Sequence, residues 1–420
     1  MKVWQKVLVA MVLAAIVGYL TNKSGPLHYD GKEVMTSYIL PFGNAFMNLI
    51  KLVVVPLIFF VIVTGVTSIN DGGSFKRIGS KAAIFFIATA LIAVVIGVVF
   101  GVLFQPGQGV DLNQLISRAA PQHHTEGDTG FGLSKFISIF IADNIVGAMA
   151  TNEHLVQVVF FAIFMGITIN SFGAKMQPIK DFCKLASQIF FKMIGYIMDL
   201  APYGVFALLA PMVSTQGIDL LRDLAYLVLV VLSAFVLQYA LFAVILIVVG
   251  KLSPWPFFRK MVEVQLVAFS TSSSKATLPT AMRVLNERMG VSETSTDFVL
   301  PLAASVNMVG ISIYLSICSL FVAQACGIHL APHQYIILMV TATLGAIGGA
   351  GIPGGSIVMM GMVFNSIGLP LGGIAVILGI DRILDMLRTV LNLTCDCLMT
   401  LVIDKSEGTF DIVKYNDPNL

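Results

Sequence analysis

The sequence predicts an all-α polytopic membrane protein with eight transmembrane helices and two re-entrant helical hairpins. Three observations carry that expectation. Hydrophobic residues make up 57% of the 420-residue chain and charged residues 11%, against roughly 45–50% and about 25% in soluble domains. Apolar runs of about 20 residues, the length that spans a bilayer, recur along the whole chain. Two later runs are interrupted by serine-rich or glycine-rich breaks instead of polar loops.

Taken in order, the apolar runs cover 5–20, 39–68, 80–105, 133–173, 182–214 and 219–249, and the fourth is broken near "IADNIVGAMATNEH". The first, "VLVAMVLAAIVGYL", lacks an A-x-A cleavage site and reads as an uncleaved span. Lys2 and Lys6 precede it. Lys76, Arg77 and Lys81 lie between the second and third runs, Lys175, Lys180 and Lys184 between the fourth and fifth, and Arg259 and Lys260 after the sixth. Basic residues stay preferentially on the cytoplasmic side, so this alternation puts the N-terminus in the cytoplasm. With eight spans the tail, 404–420, is cytoplasmic too, in a multi-pass protein of the plasma (inner) membrane.

Beyond residue 250 the pattern changes. The segment 256–290 is apolar, then serine-rich at "STSSSKATLP", then amphipathic, with basic residues at both ends. Both ends therefore sit on the cytoplasmic face, which describes a hairpin. A helix over 296–327 follows, then a second hairpin over 332–367 with the tip "GGAGIPGG", and last a helix over 371–403. Glycine and proline disfavour helix by about 1 and 3 kcal/mol per residue, and backbone freed at membrane depth must find protein or water, since lipid offers no hydrogen bonds. The plainer alternative is two pairs of short spans joined by outside loops. Two interrupted hairpins, each followed by a full helix, point instead to a transport site between inverted repeats.

The last helix contains "DRILDMLRTVLNLTCD", three aspartates and two arginines in an apolar setting. At the helical period Asp381, Asp385, Arg388, Asn392 and Asp396 fall within an arc of about 80°, with Thr389 and Arg382 at its edge. The other faces are apolar. A charge facing lipid near the bilayer centre costs on the order of 3 kcal/mol, so the stripe faces protein or a water-filled path. Arg388 is spaced to pair with Asp381 and Asp385 along the helix. Such pairing leaves Asp396 without a cation, and a bound cation is its natural partner. The preceding helix carries a polar break, "ASVNMVG", where Ser305, Asn307 and Gly310 suggest local unwinding that frees carbonyls for a hard cation.

The five cysteines lack zinc-site spacing and read as small buried hydrophobes. His123 and His124 form a loop pair without further ligands. No cofactor and no nucleic-acid partner are expected.

"STSSSKATLP", "NMVG" (307–310), "GGAGIPGG" and "DRILDMLRTVLNLTCD", in this order, together with "LVVVPLIFF" and "APYGVFAL", resemble the glutamate transporter family of dicarboxylate/amino acid:cation symporters. The resemblance covers essentially the whole chain. It implies a homotrimer in a lipid membrane, working by an elevator movement. Residues 1–70 (helices one and two) and 133–214 (helices four and five) would form the scaffold. Residues 80–105 (helix three) and 219–403 (helices six to eight with both hairpins) would carry the substrate, a small acidic amino acid or dicarboxylate. By the same resemblance Arg388 would grip a side-chain carboxylate, Asp385 the amino group, and Asn392 with Ser274 the main-chain carboxylate. Thr389, Ser272, Ile352 and Gly354 would complete the pocket, and the second hairpin would be its gate. One sodium site would use Asp396 with Ala303, Asn307 and Asn392. The other would use Ser305, Ala346, Ile347, Gly349 and the Met308 sulfur.

The chain also departs from the family pattern. Val309 stands where an aspartate is usual, Phe86 where a tyrosine is typical and Ala90 where a serine is; Thr89 remains. A hard cation needs about six oxygens, so this third sodium site is expected to be empty and coupling to use two sodium ions, with protons as the other option. Ile311 replaces a threonine and Ser356 a glycine near the pocket, which bears on substrate choice. Lys275 and Arg382 have no assigned role.

Catalysis fits poorly. Ser274 and Lys275 are adjacent and do not face each other on a helix, and an Asp381–Asp385 dyad beside Arg388 would not share a proton. A pore is the other class, yet paired charges beneath hairpin tips suit occlusion of a small acid. The expected function is sodium-coupled symport of aspartate or glutamate, with a sodium- or proton-coupled C4-dicarboxylate carrier as the alternative.

Overall fold

The computed structural model describes residues 3–22, 31–67, 73–110, 141–150, 154–217, 219–348 and 355–418, and no strand occurs among them. Helix α1 (Val3–Leu20) is the first apolar run. Helix α2 (Leu40–Thr67) is entered through a short helix at Lys32–Val34 and a π-helical turn at Met35–Ile39. Helix α3 (Gly73–Phe104) begins before the expected residue 80. The fourth run is broken: α4 (Ile145–Met149) is capped by the Asn144 side chain, which accepts from Val146 N and Gly147 N, and α5 (Leu155–Ser171) resumes after it. The beginning of that run, 133–140, lies outside the described residues, as do His123 and His124.

The fifth run differs from expectation. A single helix over 182–214 is replaced by α6 (Gln177–Asp199) and α7 (Ala201–Gln216), bent by 53°. Pro202 is the physical reason. It has no N–H for the carbonyl four residues back and its ring crowds that carbonyl, but it is well tolerated in a helix's first turn. Leu200 O then receives Tyr203 N at 3.0 Å and Gly204 N at 3.1 Å, starting the new helix.

Helix α8 (Asp219–Val248) leads to the first hairpin, α9 (Pro254–Thr271) and α10 (Ser274–Arg283), which ends in a π-helical turn at Val284–Arg288. The two ends of this hairpin meet. Lys260 Nζ donates to Arg288 O at 2.7 Å, and Glu263 pairs with Arg283 and, at 3.2 Å, with Arg288. At its tip Ser272 adopts a left-handed backbone (φ 50°) and ends α9, while Ser273 caps α10 by accepting from Ala276 N. A non-glycine residue in that region is uncommon, and here it lets the chain reverse.

The seventh run is α11 (Glu293–Val306) and α12 (Val309–Ala325), broken at Asn307 and Met308. The second hairpin is α13 (Pro332–Gly348) and α14 (Gly355–Ser366); its base is closed by Gln334 Nε2 donating to Ile367 O at 3.0 Å. Helix α15 (Gly373–Glu407) is the charged one and runs past residue 403. Beyond it the tail folds back as α16 (Ile412–Asn416). Tyr415 Oη donates to Ser253 O at 2.6 Å, Lys414 Nζ to Asn286 O at 2.9 Å, and Lys260 also donates to Lys414 O and Tyr415 O. The tail therefore straps both ends of the first hairpin together.

Four stretches among the described residues, Lys32–Thr67, Ile78–Phe104, Leu220–Val248 and Glu293–Ala325, are long and apolar enough to cross a membrane; the bent pair would add a fifth. In Glu293–Ala325 94% of the most apolar window is buried, against 39% in Ile78–Phe104 and Leu220–Val248. The seventh run is thus interior, while the other two present apolar residues such as Ile84, Leu103, Leu229 and Val236 outward, as lipid contact requires. Helix α15 instead turns its polar stripe inward, and Asp381, Asp385, Arg388, Asn392 and Asp396 are all buried.

Candidate functional site

The charged stripe of α15 faces inward, and its centre is Arg388, 1% exposed. One nitrogen, Nη2, donates to Asp381 Oδ1 at 2.8 Å, to Asp385 Oδ1 at 3.1 Å and to Ser356 Oγ of α14 at 2.8 Å. The intrahelical ion pair that the spacing allowed is therefore formed. It does not satisfy the guanidinium. Nε and Nη1 are buried and have no hydrogen-bond partner among the described residues. Arginine carries five N–H donors, and three of them lack an acceptor among the described residues. Unpaired buried donors of a charged group are costly, so the site has room in its bonding for an anion.

Ser272 Oγ and Ser274 Oγ, both buried at the tip of the first hairpin, are also without a partner among the described residues. Helix α10, which begins at Ser274, packs on α15. Thr389 Oγ1 donates to Asp385 O at 2.8 Å, keeping its hydroxyl on its own helix. Ile311 is buried. Ile352 and Gly354 lie outside the described residues.

A second cluster forms where α11 breaks. Asn307 Nδ2 donates to Asp396 Oδ1 at 2.9 Å, and Asn307 Oδ1 accepts from Thr89 Oγ1 of α3 at 3.2 Å. Asp396 is 0% exposed, and its Oδ2 has no partner among the described residues. Asn307 N donates to Ala303 O at 2.7 Å, so that carbonyl is at hand as well. One carboxylate with amide and carbonyl oxygens is a donor set that suits a hard cation. Asn392 is committed differently. Its Oδ1 accepts from Gly310 N at 2.7 Å and its Nδ2 reaches the Met308 sulfur at 3.3 Å, so it pins the restart of the broken helix. A Cβ on Gly310 would lie 3.0 Å from Asn392 Oδ1 and 3.1 Å from Arg388 O, so glycine permits this close approach.

Of the residues expected at a second cation site, Met308 and Ala346 are buried and Ser305 Oγ donates to Pro301 O at 3.0 Å. Ile347 lies in the last turn of α13, and Gly349 is outside the described residues. Val309, Phe86 and Ala90 are buried apolar side chains; Thr89, the remaining oxygen of that group, instead joins the Asn307 cluster.

Sequence reasoning missed Tyr314. Its ring lies under the Arg388 guanidinium, 3.9 Å from ring centre to Cζ, and its hydroxyl donates to Asp381 Oδ1 at 2.8 Å. Asn307 lies at the break, outside α12, so spacing from it gave no signal, and in the sequence Tyr314 reads as an ordinary core aromatic of α12.

The profile of the sodium:dicarboxylate symporter family matches residues 3–406. The chain is 36% identical over 417 residues to the proton/glutamate-aspartate symporter of Escherichia coli (strain K12), across 97% of this chain and 93% of that protein. It is 32% identical over 418 residues to the C4-dicarboxylate transport protein of Bacillus subtilis (strain 168), across 99% and 96%. It is also 32% identical over 420 residues to the proton/sodium-glutamate symport protein of Bacillus caldotenax, across 97% and 95%.

Proposed function

Because the chain belongs to the sodium:dicarboxylate symporter family, whose members are symporters and not enzymes and use coupling ions instead of a cofactor, we propose that it carries an acidic amino acid, aspartate or glutamate, together with sodium. The observation that carries this reading is the half-satisfied guanidinium of Arg388, buried with Nε and Nη1 lacking a partner among the described residues. A substrate carboxylate supplies the missing acceptors, and Asp385 at its side receives the amino group. Ser272 and Ser274 offer hydroxyls to the second carboxylate.

Cation coupling uses Asp396 with backbone oxygens of Ala303, Asn307 and Asn392 as one sodium site, and the carbonyls of Ser305, Ala346, Ile347 and Gly349 with Met308 as the other. The apolar side chains at Val309, Phe86 and Ala90 support a count of two sodium ions, without a third. The protein spans the plasma membrane eight times with both termini in the cytoplasm, and both hairpins are re-entrant. It works as a homotrimer by an elevator movement. Packing supports the division of labour: α1 lies on α7 and α2 on α5 and α6, whereas α3 lies on α12, and α15 lies on α9 and α11.

A second reading, transport of C4-dicarboxylates, is favoured by one observation. Arg382 Nη1 stands 3.5 Å from Asp385 Oδ2, which compensates that carboxylate without an amino group. Uptake of labelled aspartate into proteoliposomes, challenged with glutamate, fumarate, succinate, serine and cystine under a sodium gradient or a proton gradient, tests both. Sodium-driven uptake blocked by glutamate supports the main reading. Block by fumarate and succinate alone would replace it with the second.

A further inference from the structure

Asp385 carries an arginine on each carboxylate oxygen: Arg388 Nη2 holds Oδ1 at 3.1 Å, and Arg382 Nη1 faces Oδ2 at 3.5 Å. The two ties are unequal. The Arg388 side chain is 1% exposed and is also bound to Asp381, Ser356 and the Tyr314 ring. The Arg382 side chain keeps 16% exposure, makes the longer contact, and has a buried Nε with no partner among the described residues. An incoming cation therefore displaces Arg382 from Asp385 more easily than it displaces Arg388.

We infer that Arg382 sets the choice between substrates that have an amino group and substrates that lack one, by standing in for the substrate ammonium on Asp385. The inference rests on the acidic-substrate reading above. A dicarboxylate brings no cation for Asp385, and a bare carboxylate there would repel it. With Arg382 in place that charge is already compensated. An amino acid brings an ammonium group that competes with Arg382 for Oδ2. One side chain thus acts on the two affinities in opposite directions, and specificity is their difference. Arg382 touches Asp385 and need not touch the substrate, so it is a positioning residue for the pocket's charge.

The test uses the full-length protein in proteoliposomes, taking up labelled aspartate while unlabelled aspartate or succinate competes. The ratio of the two inhibition constants is the readout, because a merely structural role would weaken both compounds alike. Arg382→Gln should shift the ratio toward aspartate by roughly tenfold, and Arg382→Lys, which keeps the charge, should restore most of it. A ratio in Arg382→Gln within about twofold of wild type overturns the inference, while aspartate uptake by the wild-type protein keeps the symport reading standing. Wild-type protein that binds neither compound overturns both. If Arg382→Gln yields no folded protein, Asp385→Asn is compared with the double variant Asp385→Asn, Arg382→Met, which keeps the aliphatic stem. Without the carboxylate Arg382 has nothing to compensate, so the two should share one ratio. A difference between them overturns the inference.

Discussion

Arg388 sits over the Tyr314 ring, with the guanidinium carbon 3.9 Å from the ring centre, and the tyrosine donates its hydroxyl to Asp381 at 2.8 Å. One side chain on α12 thereby orients both members of an ion pair on α15. A desolvated cation over an aromatic face gains about 2 kcal/mol, and a hydrogen bond to a charged group about 1.5–3 kcal/mol. Tyr314→Phe keeps the face and loses the bond, so apparent affinity for aspartate should fall about tenfold. Tyr314→Ala loses both and should fall further. Titration calorimetry on the two variants separates ring from hydroxyl, and equal losses would assign the whole effect to the hydroxyl.

Asp396 Oδ2, without a partner among the described residues, is where the proposed cation would bind. Asp396→Asn keeps the shape and the contact with Asn307 but removes the charge. Aspartate affinity plotted against sodium concentration should lose about one unit of its logarithmic slope. An unchanged slope would move the cation elsewhere.

Gly310 is the restart of the broken seventh run. In Gly310→Ala the new methyl would meet Asn392 Oδ1 at 3.0 Å and the Arg388 backbone at 3.1 Å. Overpacking of this kind costs about 1–3 kcal/mol, so the melting temperature should drop. Substrate affinity should drop with it, since Arg388 is the residue pushed.

The tail strap has a pH signature. Burial pushes the Tyr415 hydroxyl from its ordinary 10.0 up to about 12, with a backbone contact from Phe257 pulling the other way. The folded value lies above the unfolded one. The strap's contribution is therefore complete below pH 10 and is lost as pH rises through about 12. Tyr415→Phe should remove one tyrosine's share of the phenolate absorbance that rises in that window, at a cost of about 1 kcal/mol in stability.

The parts of this fold that follow from periodicity were legible in the sequence. The helical repeat alone assigns Asp381, Asp385, Arg388, Asn392 and Asp396 to one face, and all five are buried there. Asn307 beside Gly310 announced a break because both weaken helix. Other features depend on contacts between distant segments and leave no periodic trace. Tyr314 sits in "ISIYLSIC" and looks like any core aromatic. Lys260 reads as a topology charge, yet its three bonds among the described residues go to backbone carbonyls at the hairpin base and tail. Pro202 was visible, but whether a proline bends a helix or opens a new one depends on the packing on either side. Ser356 stood out only as a departure near the pocket, and the structure puts its hydroxyl on Arg388.

The central claim is that an acidic cargo completes the bonding of Arg388. Aspartate binding to purified wild-type and Arg388→Ala protein, measured by titration calorimetry in saturating sodium, tests it most directly. Loss of a charge-assisted pair at a buried site should weaken aspartate by at least about a hundredfold, with neutral amino acids unaffected or better bound. If Arg388→Ala bound aspartate as tightly as wild type, the anion would have to sit somewhere else.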